Sequence, residues 1–416
     1  MTSTAPRGTC PGLSAPMLTG DGLLARFTPS DRIALGSFVA FCTAARRHGN
    51  GTVEITARGS LQVRGLTSAS AARFAAEIAA LEIAAIEGVP VIADPLPDDP
   101  NAFVDTAAVA TRLRRAIGDA RLALAPKVRI IIDGGGRLHL DALAADVRLR
   151  AIGTREAPRF YVAVGGTAAS AMPLGSIAVD MAVTAVLRVL HVITARGPTT
   201  RAVDILEAEG INAFCSVLDG NVETRPRPPP RPAADPIGRH PLRDGFFALG
   251  IALPFGHAHA DALARLAQAA AAFGVGSLRP APDRALLLVG VREESAAPLT
   301  AAAEQLAFIV HTHDPRRRIV ACPGKTACGS GLIAARALAA DLARQLSAQG
   351  EAVHISGCSK GCAHPTTAAL TVVGTERGCG IVRHGSAGAT PNYHVEPAKL
   401  IREIVRIIET GAAVHA

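Results

Sequence analysis

The chain contains two copies of one sequence pattern. Each copy opens with Asp-Gly and an apolar strand, passes through an alanine-rich helical stretch, and then reaches Gly-x-Gly and two further strand patterns. The first copy runs from Asp21 to Leu66 and the second from Asp244 to Val291. Because equivalent features keep a nearly constant offset along the chain, the pattern indicates duplication of a structural unit. We therefore predict a fold built from two similar halves.

A proline-rich stretch separates the halves. Residues 221–241 include "RPRPPPRP", and proline lacks the N–H donor and fixes its own φ, so this stretch is predicted to be a linker. Each half continues beyond its repeat with further helical and strand patterns. The sequence thus predicts an α+β protein with four folded units. The predicted units are residues 1–70, 71–220, 242–300 and 301–416.

Local patterns predict individual elements. In the first half, "KVRIIIDGGGRLHL" is typical of two strands joined by a glycine turn, and a helix is expected around 176–195. In the second half we expect a helix over 330–349, a strand over 351–356, strands around 367–384 and a helix over 397–410.

Charge and composition limit the class of partner. The formal net charge is +8, mostly from arginine, whose planar fork binds carboxylate and phosphate groups bidentately. Aromatic residues make up only 3% of the chain and tryptophan is absent, whereas nucleic-acid surfaces combine basic patches with aromatics. We expect no nucleic-acid partner, and either a small polyanion or no specific partner at all.

The apolar stretches do not predict a membrane protein. The most apolar window, "SIAVDMAVTAVLRVLHVITA", is interrupted by Asp180, Arg188 and His191, which an uninterrupted span rarely tolerates. The first residues lack the basic and then apolar order of a secretory signal. A chain of 416 residues also buries enough core to fold without disulfides. We expect a cytoplasmic protein with reduced cysteines.

Four of the eight cysteines form two pairs. Five residues separate Cys322 from Cys328, and three separate Cys358 from Cys362. Structural zinc usually has two to four residues between paired cysteines, whereas thiolate-only ligation with looser spacing fits an iron–sulfur cluster. The surrounding glycines allow backbone amides to approach cluster sulfurs, and the predicted helix after Cys328 favours a thiolate there. Zinc, free thiols and a redox disulfide stay open as alternatives, and Cys10, Cys42, Cys215 and Cys379 lack partners at comparable spacing.

The motifs resemble those of the sulfite and nitrite reductase family, which pairs a 4Fe-4S cluster with sirohaem. The resemblance covers nearly the whole chain and rests on the duplication, on "EITARGSLQVRGL" and "APKVRIIIDGG", and on the two cysteine pairs. It implies two ferredoxin-like half-domains that pair with each other, plus two larger mixed α/β domains. It also implies that Cys322, Cys328, Cys358 and Cys362 hold a 4Fe-4S cluster.

Two further motifs are most similar to one branch of that family. These are "HISGCSKGCAHP" and "RGTCPGLSAPMLTGDGLLAR", and the branch acts on a tetrapyrrole polycarboxylate, precorrin-3A, in aerobic cobalamin biosynthesis. The resemblance implies an O2-dependent monooxygenase that hydroxylates a meso carbon and closes a lactone on ring A. It adds a mononuclear non-haem iron and an electron donor of unknown identity. The alternative is a sirohaem-dependent sulfite or nitrite reductase, although "VPVIADPLP" lacks an arginine that the reductases carry.

The resemblance also assigns site residues. Arg58, Lys127 and Arg129 match basic residues that face the anionic substrate and the macrocycle in the reductases, and we predict catalytic roles for them. Together with Arg64 and Arg284 they are predicted to bind substrate carboxylates. The alternative for Arg58 is an ordinary surface arginine on a hairpin.

The ligands of the mononuclear iron are not defined by the sequence. Non-haem oxygenases commonly use two histidines and a carboxylate. The candidates are His257 and His259 in "HAH", His311, His313 and Asp314 in "HTHD", and His364 beside a cluster cysteine. Exposed loop histidines, and a hydrogen bond from His364 to a cluster sulfur, are the alternatives.

Overall fold

A computed structural model describes residues 11–410 except 87, 219, 221, 348 and 349. Cys10 and the first residues of the amino-terminal motif lie outside this part of the chain. The described residues form four five-stranded sheets, so the expected four-unit α+β architecture is present.

The first half consists of a half-domain and an α/β unit. The half-domain contains β1 (Met17–Thr19), β2 (Gly22–Phe27), β3 (Ile33–Ala34), α1 (Leu35–His48), β4 (Thr52–Ile55), β5 (Leu61–Leu66) and α2 (Ser68–Ala80). The amino-terminal α/β unit contains β6 (Val91–Ala93), α3 (Thr106–Ala120), β7 (Ile130–Asp133), β8 (Ala145–Gly153), β9 (Pro158–Gly166), β10 (Met172–Ala178), α4 (Ala182–Ala195), α5 (Ala202–Glu209) and α6 (Asn212–Cys215).

The second half repeats this order. Its half-domain contains β11 (Gly238–Pro241), β12 (Phe247–Ala252), β13 (His257–His259), α7 (Ala260–Ala272), β14 (Ser277–Ala281), β15 (Ala285–Val291) and α8 (Glu293–Gln305). The carboxy-terminal α/β unit contains β16 (Ile319–Ala321), α9 (Ala335–Ala343), β17 (Val353–Ser356), β18 (Ala368–Thr375), β19 (Gly378–Gly385), β20 (Tyr393–Val395) and α10 (Leu400–Thr410).

The two half-domains exchange one short strand each. The first sheet has the order β1-β2-β5-β4-β13 and the second has the order β11-β12-β15-β14-β3, so β13 and β3 each complete the sheet of the other repeat. Helices α1 and α7 follow the exchanged strands and pack together. Phe38 and Phe41 of α1 share one apolar core with Leu263 and Leu266 of α7. The half-domains therefore pair through a continuous core.

The two α/β units share a topology. Their sheets run β10-β9-β8-β7-β6 and β16-β17-β18-β19-β20, with three parallel strands on one side and antiparallel pairing on the other. In each unit the first two parallel strands end at the same edge of the sheet. The loops that leave this edge are residues 94–105 and 134–144 in the first unit, and 322–334 and 357–367 in the second.

Each α/β unit docks these loops on the half-domain of the other repeat. Leu96 and Leu138 of the amino-terminal unit pack in one buried cluster with Ala248 and Leu287 of the second half-domain. In the carboxy-terminal unit, Arg336 binds Glu54 of the first half-domain. The cysteine loops are therefore held between two parts of the duplicated fold.

Three local predictions differ from the structure. "DGGG" is not a hairpin turn, because β7 and β8 are parallel and cannot be joined by one. The helix predicted over 330–349 is shorter, because hydrogen bonds from Lys325 N–H to Ile333 O (2.7 Å) and from Leu332 N–H to Gly357 O (2.7 Å) fold the preceding segment into a loop. Cys328 therefore precedes a loop and not a helix.

The proline-rich stretch has no helix or strand between residues 224 and 237. Arginines anchor it to the amino-terminal α/β unit: Arg231 pairs with Asp133 and Asp141, and Arg227 donates to Ala171 O (2.8 Å).

Within the described residues, no helix is long and apolar enough to cross a membrane.

Candidate functional site

The four paired cysteines lie in the two loops that leave β16 and β17. Cys322 directly follows β16, and Cys358 lies two residues after β17, its parallel neighbour. The Gly357 N–H donates to the Cys322 Sγ over 3.0 Å, so the loops meet at a sulfur. Cys322 is buried, whereas Cys362 is exposed at the outer side of the site.

The four thiols lie within electrostatic range of one another. Burial raises the pKa of the Cys362 thiol, and the thiols of Cys358, Cys322 and Cys328 raise that pKa further, while Lys360 opposes them. The Lys360 Nζ also donates to the Ser330 Oγ (2.9 Å) and so joins the two loops. Ionisation of all four thiols would therefore require a compensating positive charge between them.

Glycines allow the loops to touch backbone to backbone. A Cβ on Gly357 would lie 2.9 Å from the Gly324 Cα, and a Cβ on Gly331 would lie 2.5 Å from the Gly324 carbonyl carbon. In the first half-domain, a Cβ on Gly20 would lie 2.8 Å from the Cys328 carbonyl carbon. Any side chain at these positions would displace the cysteine loops.

Two arginines clamp the cysteine loops to the half-domains. Arg64 is bonded to Asp21 (2.9 and 3.0 Å) and donates to the carbonyl of Ala327, next to Cys328. The Arg284 Nη2 donates to Ala363 O (3.1 Å), next to Cys362. One clamp therefore holds each cysteine pair.

The other predicted cations occupy different places. Arg58 is exposed on the β4–β5 turn, where its backbone bridges Pro282 beside Arg284. Lys127 is exposed before β7, and no ion pair or hydrogen bond joins its side chain or that of Arg58 to a described residue. Arg129 donates its Nη1–H to Ala144 O (2.8 Å). Among the described residues, no hydrogen bond or ion pair joins Lys127 to the cysteine loops.

The candidate iron ligands are not brought together. "HAH" forms β13, whereas "HTHD" is a turn in which Asp314 binds Arg316 (2.9 Å). In the described part of the chain, no three His, Cys, Asp or Glu side chains are arranged to hold one metal ion. A histidine and carboxylate set for a mononuclear iron therefore does not fit the arrangement seen here.

The sequence does not reveal several residues around the site. His354 of β17 is buried, neither ring nitrogen has a partner among the described residues, and its ring centroid lies 5.5 Å from that of His364. Burial lowers the pKa of His354 to about 4, so it is neutral at pH 7. Arg336, on the alanine-rich α9, binds the buried Glu54 (2.6 Å). His354 opens the "HISGCSKGCAHP" motif, but that motif gives no role to it, and Arg336 belongs to no motif at all.

The donor set fits a 4Fe-4S cluster. The donors are four thiols on two loops that meet, and a backbone N–H already donates to one of their sulfurs. Such N–H···S bonds help to set the reduction potential of a bound cluster. Cys322, Cys328, Cys358 and Cys362 would hold it.

Comparison with known proteins gives a consistent result. Residues 17–81 and 240–306 match the model of the nitrite/sulfite reductase ferredoxin-like half domain. The chain is 39% identical over 400 residues to a precorrin-3B synthase from Sinorhizobium sp, covering 94% of this chain and 85% of that protein. It is 24% identical over 389 residues to a ferredoxin–nitrite reductase from Synechococcus elongatus, covering 84% and 75% of the two chains.

A solved structure shows the same fold. The Mycobacterium tuberculosis NirA protein superposes with a TM-score of 0.74 at 18% sequence identity, covering 92% of this chain and 80% of that one. The predicted duplicated fold, with two ferredoxin-like half-domains and two larger α/β domains, is thereby confirmed.

Proposed function

Because this chain belongs to the precorrin-3B synthase family, within the wider group of nitrite and sulfite reductases, it is an oxidoreductase, and we propose that it is a precorrin-3B synthase. In the proposed reaction one oxygen atom of O2 becomes a hydroxyl at a meso carbon of precorrin-3A, and the other leaves as water. An electron donor supplies two electrons, and an acetate side chain closes a lactone on ring A.

One observation carries this proposal: 39% identity to a precorrin-3B synthase that extends over 94% of the chain. The similarity to the nitrite reductase is weaker, at 24%, and follows from the shared fold. The comparisons therefore do not favour the alternative of sulfite or nitrite reduction.

The proposed cofactor is a 4Fe-4S cluster on Cys322, Cys328, Cys358 and Cys362, which supplies electrons one at a time when bound. The residues of this chain shape its surroundings. Arg64 and Arg284 hold the two loops, the glycines keep them in contact, and Gly357 donates to a sulfur. The mononuclear iron of the family has no matching ligand set among the described residues, so no step is assigned to it.

Arg58 and Lys127 are the best candidates for direct contact with substrate. Both side chains are exposed and without a partner in the described structure, so their charges are available to carboxylates of a tetrapyrrole. Arg129 keeps its predicted substrate role as part of the proposal. Arg64 and Arg284, whose guanidinium groups already bind the loops, would act on the substrate chiefly by positioning the cluster.

The proposal is tested with anaerobically purified protein. We expect about four irons and four sulfides per chain, a broad brown absorption without the red bands of sirohaem, and conversion of precorrin-3A only when O2 and a reductant are present. Sirohaem bands would favour a reductase. Zinc without sulfide would contradict both the cluster and the reaction.

Substrate contact is tested at Arg58. Arg58→Ala should raise the KM for precorrin-3A by about tenfold, the loss of one charge-assisted contact, and should leave iron and sulfide content unchanged. Arg115→Ala, at an exposed arginine of α3, is the matched control. Equal KM values in the two variants would refute the role of Arg58.

A further inference from the structure

A polar cavity of about 230 Å³ lies beside the cysteine loops. Asp21 and Thr52 of the first half-domain, His257 of β13, Lys325 of the first cysteine loop and Arg336 of α9 line it. Pockets for drug-sized ligands begin at roughly 300 Å³, so the cavity has room for a small acid or one arm of a larger molecule, and a tetrapyrrole ring does not fit.

The charges around the cavity leave one positive charge in excess. Three cations, Arg64, Lys325 and Arg336, line the cavity together with the carboxylate of Asp21. Glu54 adds a second carboxylate beneath Arg336. Burial raises the pKa of Glu54, but the charges of Arg336 and Arg64 lower that pKa below its ordinary value, so Glu54 is ionised at pH 7. An excess of one positive charge suits a monoanion better than a dianion.

Two buried nitrogens at the cavity are without hydrogen-bond partners. They are the Arg336 Nε, a donor, and the His257 Nδ1; neither has a hydrogen bond of good geometry to a described residue, although the backbone of Pro254 and Phe255 lies close enough to the His257 ring to raise its pKa slightly. Burial, and then the Arg336 charge, lower the pKa of His257 to about 4, so its ring is neutral at pH 7 and donates when the proton is on Nδ1. Buried donors without acceptors cost free energy, and an acceptor placed between them removes that cost.

We propose that this cavity binds one carboxylate group, which accepts hydrogen bonds from Arg336 and His257 and faces Lys325. Two sources have this chemistry: a free small carboxylic acid, or a carboxylate arm of the tetrapyrrole. The second source rests on the proposed function, and the first does not. In either case the bound anion lies against the loop that carries Cys322 and Cys328.

The first test is titration of anaerobically purified protein with ¹³C-labelled acetate, followed by NMR line broadening. Arg336→Gln should weaken saturable acetate binding about tenfold, because one charge-assisted bond is lost. Arg344→Gln is the matched control, since Arg344 is exposed near the other end of the same helix, away from the cavity, where it pairs with Asp341. Absence of saturable binding to the parent protein, or equal affinity in both variants, would overturn the proposal.

Arg336→Gln also leaves the buried Glu54 with only the longer ion pair to Arg64 (3.6 Å) among those described, so a second variant guards against misfolding. Combining Arg336→Gln with Glu54→Gln replaces the ion pair by two amides that can still bond to each other. His257→Leu removes the other donor and keeps a similar volume. Both variants should weaken acetate binding several-fold while folding like the parent, as judged by circular dichroism, and parent-like affinity in both would refute the assignment.

The two sources are separated with uroporphyrin, a polycarboxylate tetrapyrrole, as a second probe. If the cavity holds a tetrapyrrole arm, acetate competes with uroporphyrin and Arg336→Gln weakens both. If it holds a free acid, saturating acetate leaves uroporphyrin affinity unchanged. Acetate binding without any uroporphyrin binding would count against the proposed function alone, whereas uroporphyrin binding without acetate binding would overturn the cavity proposal alone.

Discussion

The two α/β units place different chemistry on the same backbone. In the first unit Ala93 pairs with Ile132, and in the second Ala321 pairs with Ile355, so the residues that follow these pairs are equivalent. The Gly134 N–H donates to the Asp94 Oδ2 over 2.7 Å, and the Gly357 N–H donates to the Cys322 Sγ over 3.0 Å. Asp94 thus occupies the position of Cys322, the first of the proposed cluster ligands.

The amino-terminal unit fills its loop edge with its own side chains. Asp94 and Asp133 are both buried there, and Arg231 of the proline-rich stretch reaches in to pair with Asp133. Burial, and then the charge of Asp133, raise the pKa of Asp94 well above its ordinary value. The edge therefore holds an acid whose protonated form is favoured, together with an internal ion pair.

The comparison separates what the backbone supplies from what the side chains supply. Both units offer a glycine N–H to the first residue of the neighbouring loop, so the donor belongs to the duplicated backbone. What each loop edge binds depends on whether that residue is the carboxylic acid Asp94 or the thiol Cys322. It also depends on whether another side chain, such as Arg231, already fills the edge.

The largest expected effect comes from removing a cluster cysteine. Cys362→Ser should abolish the iron and sulfide content, because serine is a poor ligand for a cluster and the remaining three thiols leave one corner without its thiolate. Cys215→Ser, in the amino-terminal unit, is the control and should retain both. Iron and sulfide analysis of both variants measures this effect. Unchanged iron and sulfide content in Cys362→Ser would contradict the proposed set of cluster ligands.

Removing the arginine that fills the other edge should act on stability alone. Arg231→Ala removes the ion-pair partner of the fully buried Asp133, and breaking such a pair costs about 3–5 kcal/mol of unfolding free energy. Arg225→Ala breaks an exposed pair of the same stretch and should cost less than about 1 kcal/mol. Urea denaturation followed by circular dichroism gives both values. Similar losses of unfolding free energy in the two variants would contradict the role of Arg231. Loss of iron from folded Arg231→Ala protein would contradict the independence of the loop edges of the two α/β units.

The arginine clamps give a smaller and more specific contrast. Arg284→Met should speed the loss of brown absorption in air about tenfold, because the bond to the carbonyl beside Cys362 is lost. Arg243→Met removes the equivalent kind of bond to Ala102 O (3.0 Å) in the amino-terminal unit and should leave that rate unchanged. Equal bleaching rates in the two variants would refute a positioning role for Arg284.

Parts of this comparison are readable from the sequence. The repeat is visible because duplicated strands and turns keep their spacing, and the cysteine set is visible because clustered thiols are rare. The exchange of β3 and β13 is not visible, since strands of two and three residues carry no pattern and their pairing is fixed by the packing of α1 on α7. The equivalence of Asp94 and Cys322 is hidden for a similar reason, because it depends on strand register. The number of residues that separates β6 from its equivalent β16 differs from the number that separates β7 from β17.

The smallest effect concerns the protonation of Asp94. The folded-state pKa of this carboxyl lies above its unfolded value of about 3.8, so its contribution to stability is complete below that pH. Stability is then lost as the pH rises, by at most about 1.4 kcal/mol per pH unit, until the folded-state pKa is reached. Asp94→Asn keeps an oxygen acceptor for the Gly134 N–H and cannot ionise. We therefore expect the unfolding free energy of the variant, relative to the parent, to improve as the pH rises above about 4.

Urea denaturation at pH 4, 5, 6 and 7 measures this difference. Asp98→Asn, at a half-exposed carboxyl of the same loop, is the matched control. A difference between Asp94→Asn and the parent that stays constant with pH would mean that Asp94 is ionised in the folded protein. In that case the amino-terminal edge would carry two buried negative charges against Arg231, and the contrast with the thiol edge would be one of ligand type and not of charge.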